Sequence, residues 1–375
     1  MRSTAWKAVG VVLALASGSQ ARAQAVPADS RLNQLQYIGT HNSYHIAPDA
    51  SVLELMLTSG YRENAEWPAA RLVPALSYTH APLTVQLRHG VRAFELDVFH
   101  DPEGGRFAVP GALDVLSGSM SRATLVPGFA DAMARPGFKV MHMADLDFRS
   151  TCLRLVDCLQ ELRAWSDAAP DHVPLIVMIE PKESAKPVLA GLYQPASVAR
   201  FDASAWQALE AEILSVFPVG RLVTPDLVRG SHTTLGEAIR GEGWPRVDAL
   251  RGRVMFVLGD DQEMVGRYLA FRPGGRQGVF FFDHGVNDPD TGWLYRANPK
   301  AEDIRDRVAD GYLVYTRADA HTAQARTNAT ERRDRALAVG GVISTDYPWA
   351  DGRLSPYRVE FPGGAFVRPH PAFSR

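Results

Sequence analysis

Residues 90–99 read GVRAFELDVF, and this stretch decides the fold. Val91, Ala93, Phe94, Leu96 and Val98 put apolar side chains on both faces of an extended segment. A strand buried on both faces belongs to a parallel sheet covered by helices. Within it Glu95 and Asp97 stand two apart and so share one face. Carboxylates are almost never fully buried unless paired or metal-bound. Two readings follow for this pair: an ion pair with Arg88 or Arg92, or a site for a hard cation.

Seven more short β-rich runs recur, over residues 36–39, 139–143, 174–180, 253–258, 278–282, 312–316 and 341–344. Helical patterns over 151–168, 203–215 and 328–338 lie between them, and 84–88 ends another. Eight such units predict an α/β chain closed as a (β/α)8 barrel of TIM type. An open doubly wound sheet shares the periodicity, but no GxGxxG follows a strand and opens a helix. No internal repeat, low-complexity tract or long linker divides the chain. Residues 26–375 therefore read as one domain, with the Pro/Gly-rich tail from Pro362 onward wrapping the surface.

In such a barrel the reacting groups sit at the C-terminal ends of strands. The first strand runs into IGTHNSYH, residues 38–45, and so ends in His41-Asn42. The third ends at His142. The fourth, in VMIEPK, delivers Glu180 and then Lys182. The last two end in Thr316-Arg317-Ala318-Asp319 and Ser344-Thr345-Asp346-Tyr347. Glu95, Asp97, Glu180 and the carbonyl oxygen of Asn42 form an oxygen-only donor set, which suits Ca²⁺, with Mg²⁺ second, rather than zinc. His41 and His142 flank that set from separate strands. Two imidazoles on opposite sides of a phosphorus would let one deprotonate an attacking hydroxyl and the other protonate the leaving oxygen.

Lys182 is read either as a phosphate contact or as a salt bridge to an acid. Arg317 and Asp319 share a face and are read either as binding substrate hydroxyls or as simply holding a loop, with Arg326, Asp346 and Tyr347 comparable. His45, His80, His89 and His100 read as packing or surface residues. The loop HGVNDPDTG, residues 284–292, lacks the terminal glutamate of a calcium loop and reads as an ordinary turn.

Composition narrows the class. The chain is 46% hydrophobic and 22% charged with a formal net charge of −2, which gives no clustered basic face for nucleic acid. Arg2 and Lys7, the apolar run AVGVVLALA and the small residues of ARAQA have the order of a secretory leader, cut after Ala23 or Ala25. That run is too short to span a bilayer, and no transmembrane segment is expected elsewhere. The mature protein is accordingly expected to be exported, periplasmic or secreted. In an oxidising compartment a Cys152–Cys158 disulfide is favoured over free thiols. One continuous helix would hold these α-carbons too far apart, so a bridge requires a loosened first turn after Ser150 or Thr151.

THNSY, GVRAFELDVF, VMHM and PLIVMIEPK, in that order, resemble the catalytic X region of calcium-dependent phosphoinositide-specific phospholipases C. HAPLTVQL, DPEGGRF, DFRSTC, LRAWSDAAPDH, TRADAHTAQARTN and GGVISTDYP extend the resemblance, to the secreted bacterial branch, over about residues 31–350. It implies a distorted TIM-type barrel of the PLC-like phosphodiesterase group, with His41 and His142 as the catalytic pair. Asn42, Glu95, Asp97 and Glu180 match its calcium ligands, and Glu95 is a further candidate base. The implied reaction is attack of an inositol 2-hydroxyl on phosphorus in phosphatidylinositol or a related phospholipid at a membrane surface, releasing diacylglycerol. The membrane-targeting modules and lysine-rich features of the animal enzymes are not evident. The alternatives are a glycerophosphodiester phosphodiesterase, in which His-Arg-Gly usually replaces His-Asn-Ser, and a non-catalytic surface-binding barrel.

Overall fold

All nine residues of the strand Ala93–Asp101 are buried, as its pattern requires. The computed structural model describes residues 26–373 apart from 28, 60–67, 117–124, 186–190 and 260, and the expected leader lies outside them. Among the described residues eleven strands form one curled sheet: β1 (Leu35–Thr40), β2 (Ala93–Asp101), β3 (Gly137–Val140), β4 (Leu175–Pro181), β5 (Leu222–Val223), β6 (Val254–Leu258), β7 (Phe280–Phe281), β8 (Trp293–Tyr295), β9 (Leu313–Arg317), β10 (Val342–Thr345) and β11 (Val367–Pro369). Parallel ladders run β7-β6-β4-β2-β1-β10-β9-β8, eight strands in a barrel-like curl. Among the described residues no ladder joins β7 to β8, so the barrel is open along that seam. β5 shares the outer edge of β6 with β7.

Period-two alternation sorts the side chains. Phe94, Leu96, Val98, Val177 and Ile179 pack outward under the helices, while Ala93, Ile176, Met178, Met255 and Val342 fill the lumen. Only about 10 Å³ is left there beneath Glu95, so the barrel is a packed core and not a pore. Gly39 is needed where β1 meets β2: a Cβ would come within 2.6 Å of Ala93 Cβ and 2.7 Å of its carbonyl oxygen.

Four expectations change. The run expected as a strand over 139–143 is β3, which ends at Val140 and pairs antiparallel with Val98–Asp101. β2 is long enough to extend past the ladder with β1, and β3 folds back on that extension. His142 therefore stands in the turn beyond β3, not on a parallel strand end. β5 and β8, two and three residues long, are too short to show a period. The tail does not merely wrap the surface, because β11 adds an antiparallel strand at Leu35–Tyr37. The helix expected from 151 is Leu155–Ala168. Cys152 thus lies in the loop before it, and Cys152–Cys158 is bridged with α-carbons 5.3 Å apart.

Candidate active site

The lumen-facing parity of β2 and β4 brings the acids together. Asp97 lies opposite Glu180 in the ladder, and carboxylate oxygens of Glu95, Asp97 and Glu180 all fall within 4.8 Å of one another. At that separation each pair of charges repels by roughly 3 kcal/mol at an effective dielectric of about 20. Lys182 offsets part of this, ion-paired with Asp97 Oδ2 at 3.0 Å and with Glu180, and the charge of Arg317 also favours the Glu95 carboxylate. Lys182 is thus in a salt bridge, the second of the two readings made for it. Asp97 Oδ1 is buried with no hydrogen-bond partner. Burial, with the charges of Glu180 and Asp97, raises the Glu95 pKa well above the usual carboxylate range. An acidic, oxygen-only cluster with an orphaned buried oxygen fits a calcium ion.

The turn after β1 joins this cluster to the histidines. Ser43 N donates to the Glu95 carbonyl at 2.9 Å, and Glu95 N donates to Ser43 Oγ at 2.8 Å. Asn42 is held between them and His41 with φ +45°, a left-handed conformation that asparagine tolerates better than most residues. Its Nδ2 donates to the Tyr78 hydroxyl at 3.2 Å, which fixes the amide.

His41 and His142 are each backed by a buried carboxylate. His41 Nδ1 donates to Asp346 Oδ1 at 2.8 Å, leaving Nε2 toward Glu95 Oε1 at 3.7 Å. Burial, aided by Arg317, lowers the His41 pKa to about 4 against the opposing pull of Asp346. Burial disfavours the Asp346 charge, but His41 and Arg317 outweigh it and hold this carboxyl well below the usual range. Arg317 Nη2 lies 3.5 Å from Asp346 Oδ2. His142 Nδ1 donates to Asp147 Oδ2 at 2.8 Å. Asp147 is fully buried, yet its pKa falls to about 2, since His45 and His142 overcome the desolvation.

Between the histidines opens a cavity of about 260 Å³. Its polar wall is His41, Asn42, His142, Arg317, His321 and Asp346; its apolar wall is Leu72, Ala75 and Leu76 of the helix Ala69–Leu76, with Tyr78 and Met143. That helix is tied down at the Pro74 carbonyl by Thr322 Oγ1 (2.8 Å) and Arg326 Nη2 (3.1 Å).

The other expected residues fall elsewhere. Asp319 lies behind the pocket, accepting from Asp346 N at 2.9 Å and from the Thr345 hydroxyl, and so sets the Asp346 loop. Tyr347 lines a neighbouring cavity of about 250 Å³ with His80, Trp349 and Asp351. The sequence reading placed His45 among surface or packing residues and passed over Asp147, although Asp147 follows His142 by five residues. His80 is likewise engaged, its Nε2 donating to the His41 carbonyl at 2.9 Å.

Asp319 gives a pH signature. Burial, with Asp346 adding to it, raises its pKa from 3.8 to about 7. A carboxyl that holds its proton more tightly when folded stabilises the fold below the unfolded pKa and loses that contribution as pH rises through the folded one. The stability advantage of the native chain over Asp319→Asn, read as a difference in urea midpoints, is therefore expected to be larger at pH 5 than at pH 8. A pH-independent difference would show that Asp319 is ionised throughout.

A barrel mouth that sets two imidazoles beside an oxygen-only acidic cluster suits the class of metal-dependent phosphodiesterases. The family model for phosphoinositide phospholipase C, Ca²⁺-dependent, matches residues 30–371, and the chain belongs to that family. It is a calcium-dependent phosphodiesterase of phospholipase C type acting on phosphoinositides, and neither alternative reading is favoured. None of the curated proteins matches. Among solved structures, a calcium-dependent phosphoinositol-specific phospholipase C from a Pseudomonas species, in an apo form as a myo-inositol complex, is similar in fold. The TM-score is 0.53 at 15% identity, covering 94% of this chain and 99% of that one. A Ca²⁺-dependent phosphatidylinositol-specific phospholipase C from Streptomyces antibioticus gives 0.50 at 17%, covering 84% and 95%.

Proposed function

We propose that the chain cleaves phosphatidylinositol, or a closely related inositol phospholipid, to a cyclic inositol phosphodiester and diacylglycerol, with the residues above in the following roles. Asn42, Glu95, Asp97 and Glu180 would hold calcium, and the bound ion would supply positive charge to offset that developing on the phosphoryl oxygens. His41, kept neutral by burial and Arg317, takes the proton of the ring 2-hydroxyl at Nε2. The ring oxygen attacks phosphorus from within the same molecule, so orientation replaces a bimolecular encounter. The bond from phosphorus to the diacylglycerol oxygen breaks, and His142 gives that oxygen a proton.

Arg317 and His321 sit where ring hydroxyls or phosphate would lie, and Leu72, Ala75 and Leu76 face the lipid side. Lys182 serves the acid cluster and not the substrate directly. Asp319 and Tyr347 support the Asp346 loop rather than touching the ring. Residues 1–25 direct export, and the enzyme meets its substrate at a membrane surface. Among the described residues no helix is long and apolar enough to cross a membrane.

The observation that carries this reading is the acid cluster lying beside His41, with His142 on the same cavity. Phosphorus NMR of the products from phosphatidylinositol tests it. A cyclic phosphodiester is expected with calcium and none with chelator. Phosphatidic acid or inorganic phosphate as first product would overturn it.

A further inference from the structure

His41 and His142 are built alike to a depth of three groups. Behind His41 stands Asp346, and behind Asp346 stands the permanent cation Arg317. Behind His142 stands Asp147, and behind Asp147 stands His45. His45 is fully buried. Its Nδ1 lies 3.0 Å from the Tyr78 carbonyl oxygen, and its Nε2 lies 2.9 Å from both oxygens of Asp147. A carbonyl and a carboxylate only accept, so both ring nitrogens carry protons and His45 is an imidazolium. Desolvation opposes that charge, but Asp147 outweighs it and holds the His45 pKa above the ordinary histidine value. The ring cannot swing away, because Tyr78 stacks on it at 4.3 Å and His142 meets it edge-on at 6.2 Å.

We propose that His45 is a positioning residue for the cleavage: by donating to Asp147 it fixes that carboxylate, so that His142 presents one tautomer and one ring orientation to the leaving oxygen. This rests on the assignment of His142 as proton donor. A carboxylate free to rotate would let the His142 ring turn with it, and proton transfer is steeply sensitive to such misplacement. Outer partners of a functional histidine have this effect generally, by fixing its tautomer.

The two amide side chains separate the roles of the His45 nitrogens. In His45→Asn the amide reaches only the Nδ1 position, toward Tyr78, and Asp147 loses its donor. In His45→Gln the amide reaches the Nε2 position and restores it. Turnover is measured at saturating calcium on phosphatidylinositol and on an inositol phosphate ester with a nitrophenolate leaving group, which needs no proton. For His45→Asn, kcat on the lipid is expected to fall on the order of 10²-fold with KM within about twofold. On the nitrophenyl ester the loss should stay under about fivefold, and His45→Gln should recover most of the lipid activity. Equal loss on both substrates, or glutamine no better than asparagine, overturns the proposal, since a disordered pocket would give either result. His142→Ala run alongside tests the premise separately. If its own loss is the same on both substrates, His142 is not the proton donor; if that loss depends on the leaving group while that of His45→Asn does not, only the positioning role fails.

Discussion

Replacing His142 with alanine is expected to lower turnover of phosphatidylinositol by roughly 10³-fold while leaving calcium affinity within about twofold, as general acid catalysis contributes about 10²–10⁴-fold. The ring stands at the cavity wall with its side chain 18% exposed, and its Nδ1 is committed to Asp147. It therefore has its Nε2 to offer, and it stands outside the Glu95–Asp97–Glu180 cluster, as the proposed role of proton donor requires. The fold should tolerate the change, because Asp147 keeps both oxygens bonded to His45. Kinetics on lipid vesicles and calcium titration by calorimetry give the two numbers. A joint collapse of activity and calcium affinity would place His142 among the ligands or the structural supports.

The features legible in sequence were those set by periodicity. Apolar residues on both faces of 90–99 required a covered parallel sheet, and the two-residue spacing of Glu95 and Asp97 fixed a common face. Once β2 and β4 pair in register, Asp97 must lie opposite Glu180, so the acid cluster follows from local pattern plus one ladder. The direction of β3 was not legible, since an extended apolar run reads the same in a parallel or an antiparallel partner. Nor were the carboxylates behind the histidines. Asp346 is 305 residues from His41, and their bond exists only because β10 lies beside β1. Asp147 is near His142 in sequence, but its hold on His45 spans 102 residues and needs the turn after β1 to face the turn after β3.

The loosened helix start at Cys152 was open to sequence reading as a possibility, and its outcome was set by tertiary contacts. Thr151 N bonds to the Tyr44 carbonyl, which keeps the chain out of helix until Leu155. Lys182 was equally undecidable in sequence. Its salt bridges depend on where the backbone of β4 ends relative to Asp97. The rule that emerges is physical: period and face are local, whereas the partner of a polar atom is a property of topology.

Glu95→Gln should move stability in opposite directions with and without calcium. Glu95 is 3% exposed, and among the described residues the groups facing its oxygens are the Tyr315 hydroxyl, 3.3 Å from Oε2, and His41 at 3.7 Å. Glu180 and Asp97 crowd it with like charge, while the cluster's lysine is bonded to those two and not to it. In chelator the native chain must bury this carboxyl either charged against its neighbours or protonated at a cost, whereas the glutamine escapes both, and the variant should be more stable than the native chain by about 1–2 kcal/mol, part of the roughly 3 kcal/mol per pair at an effective dielectric of about 20. With calcium the ordering reverses. Losing one of three carboxylates is expected to weaken the ion's binding about 100-fold, and a ligand that binds only the folded state stabilises in proportion to the logarithm of its excess over Kd. A 100-fold loss removes about 2.7 kcal/mol of that stabilisation. Thermal unfolding in chelator and in a calcium series should thus give curves that cross, the variant melting higher at one end and the native chain at the other. If the variant melts lower in chelator, Glu95 is held by a favourable partner within the protein; if its calcium-induced shift equals that of the native chain, Glu95 is not a ligand, and the acids of β2 and β4 serve the fold instead of the reaction.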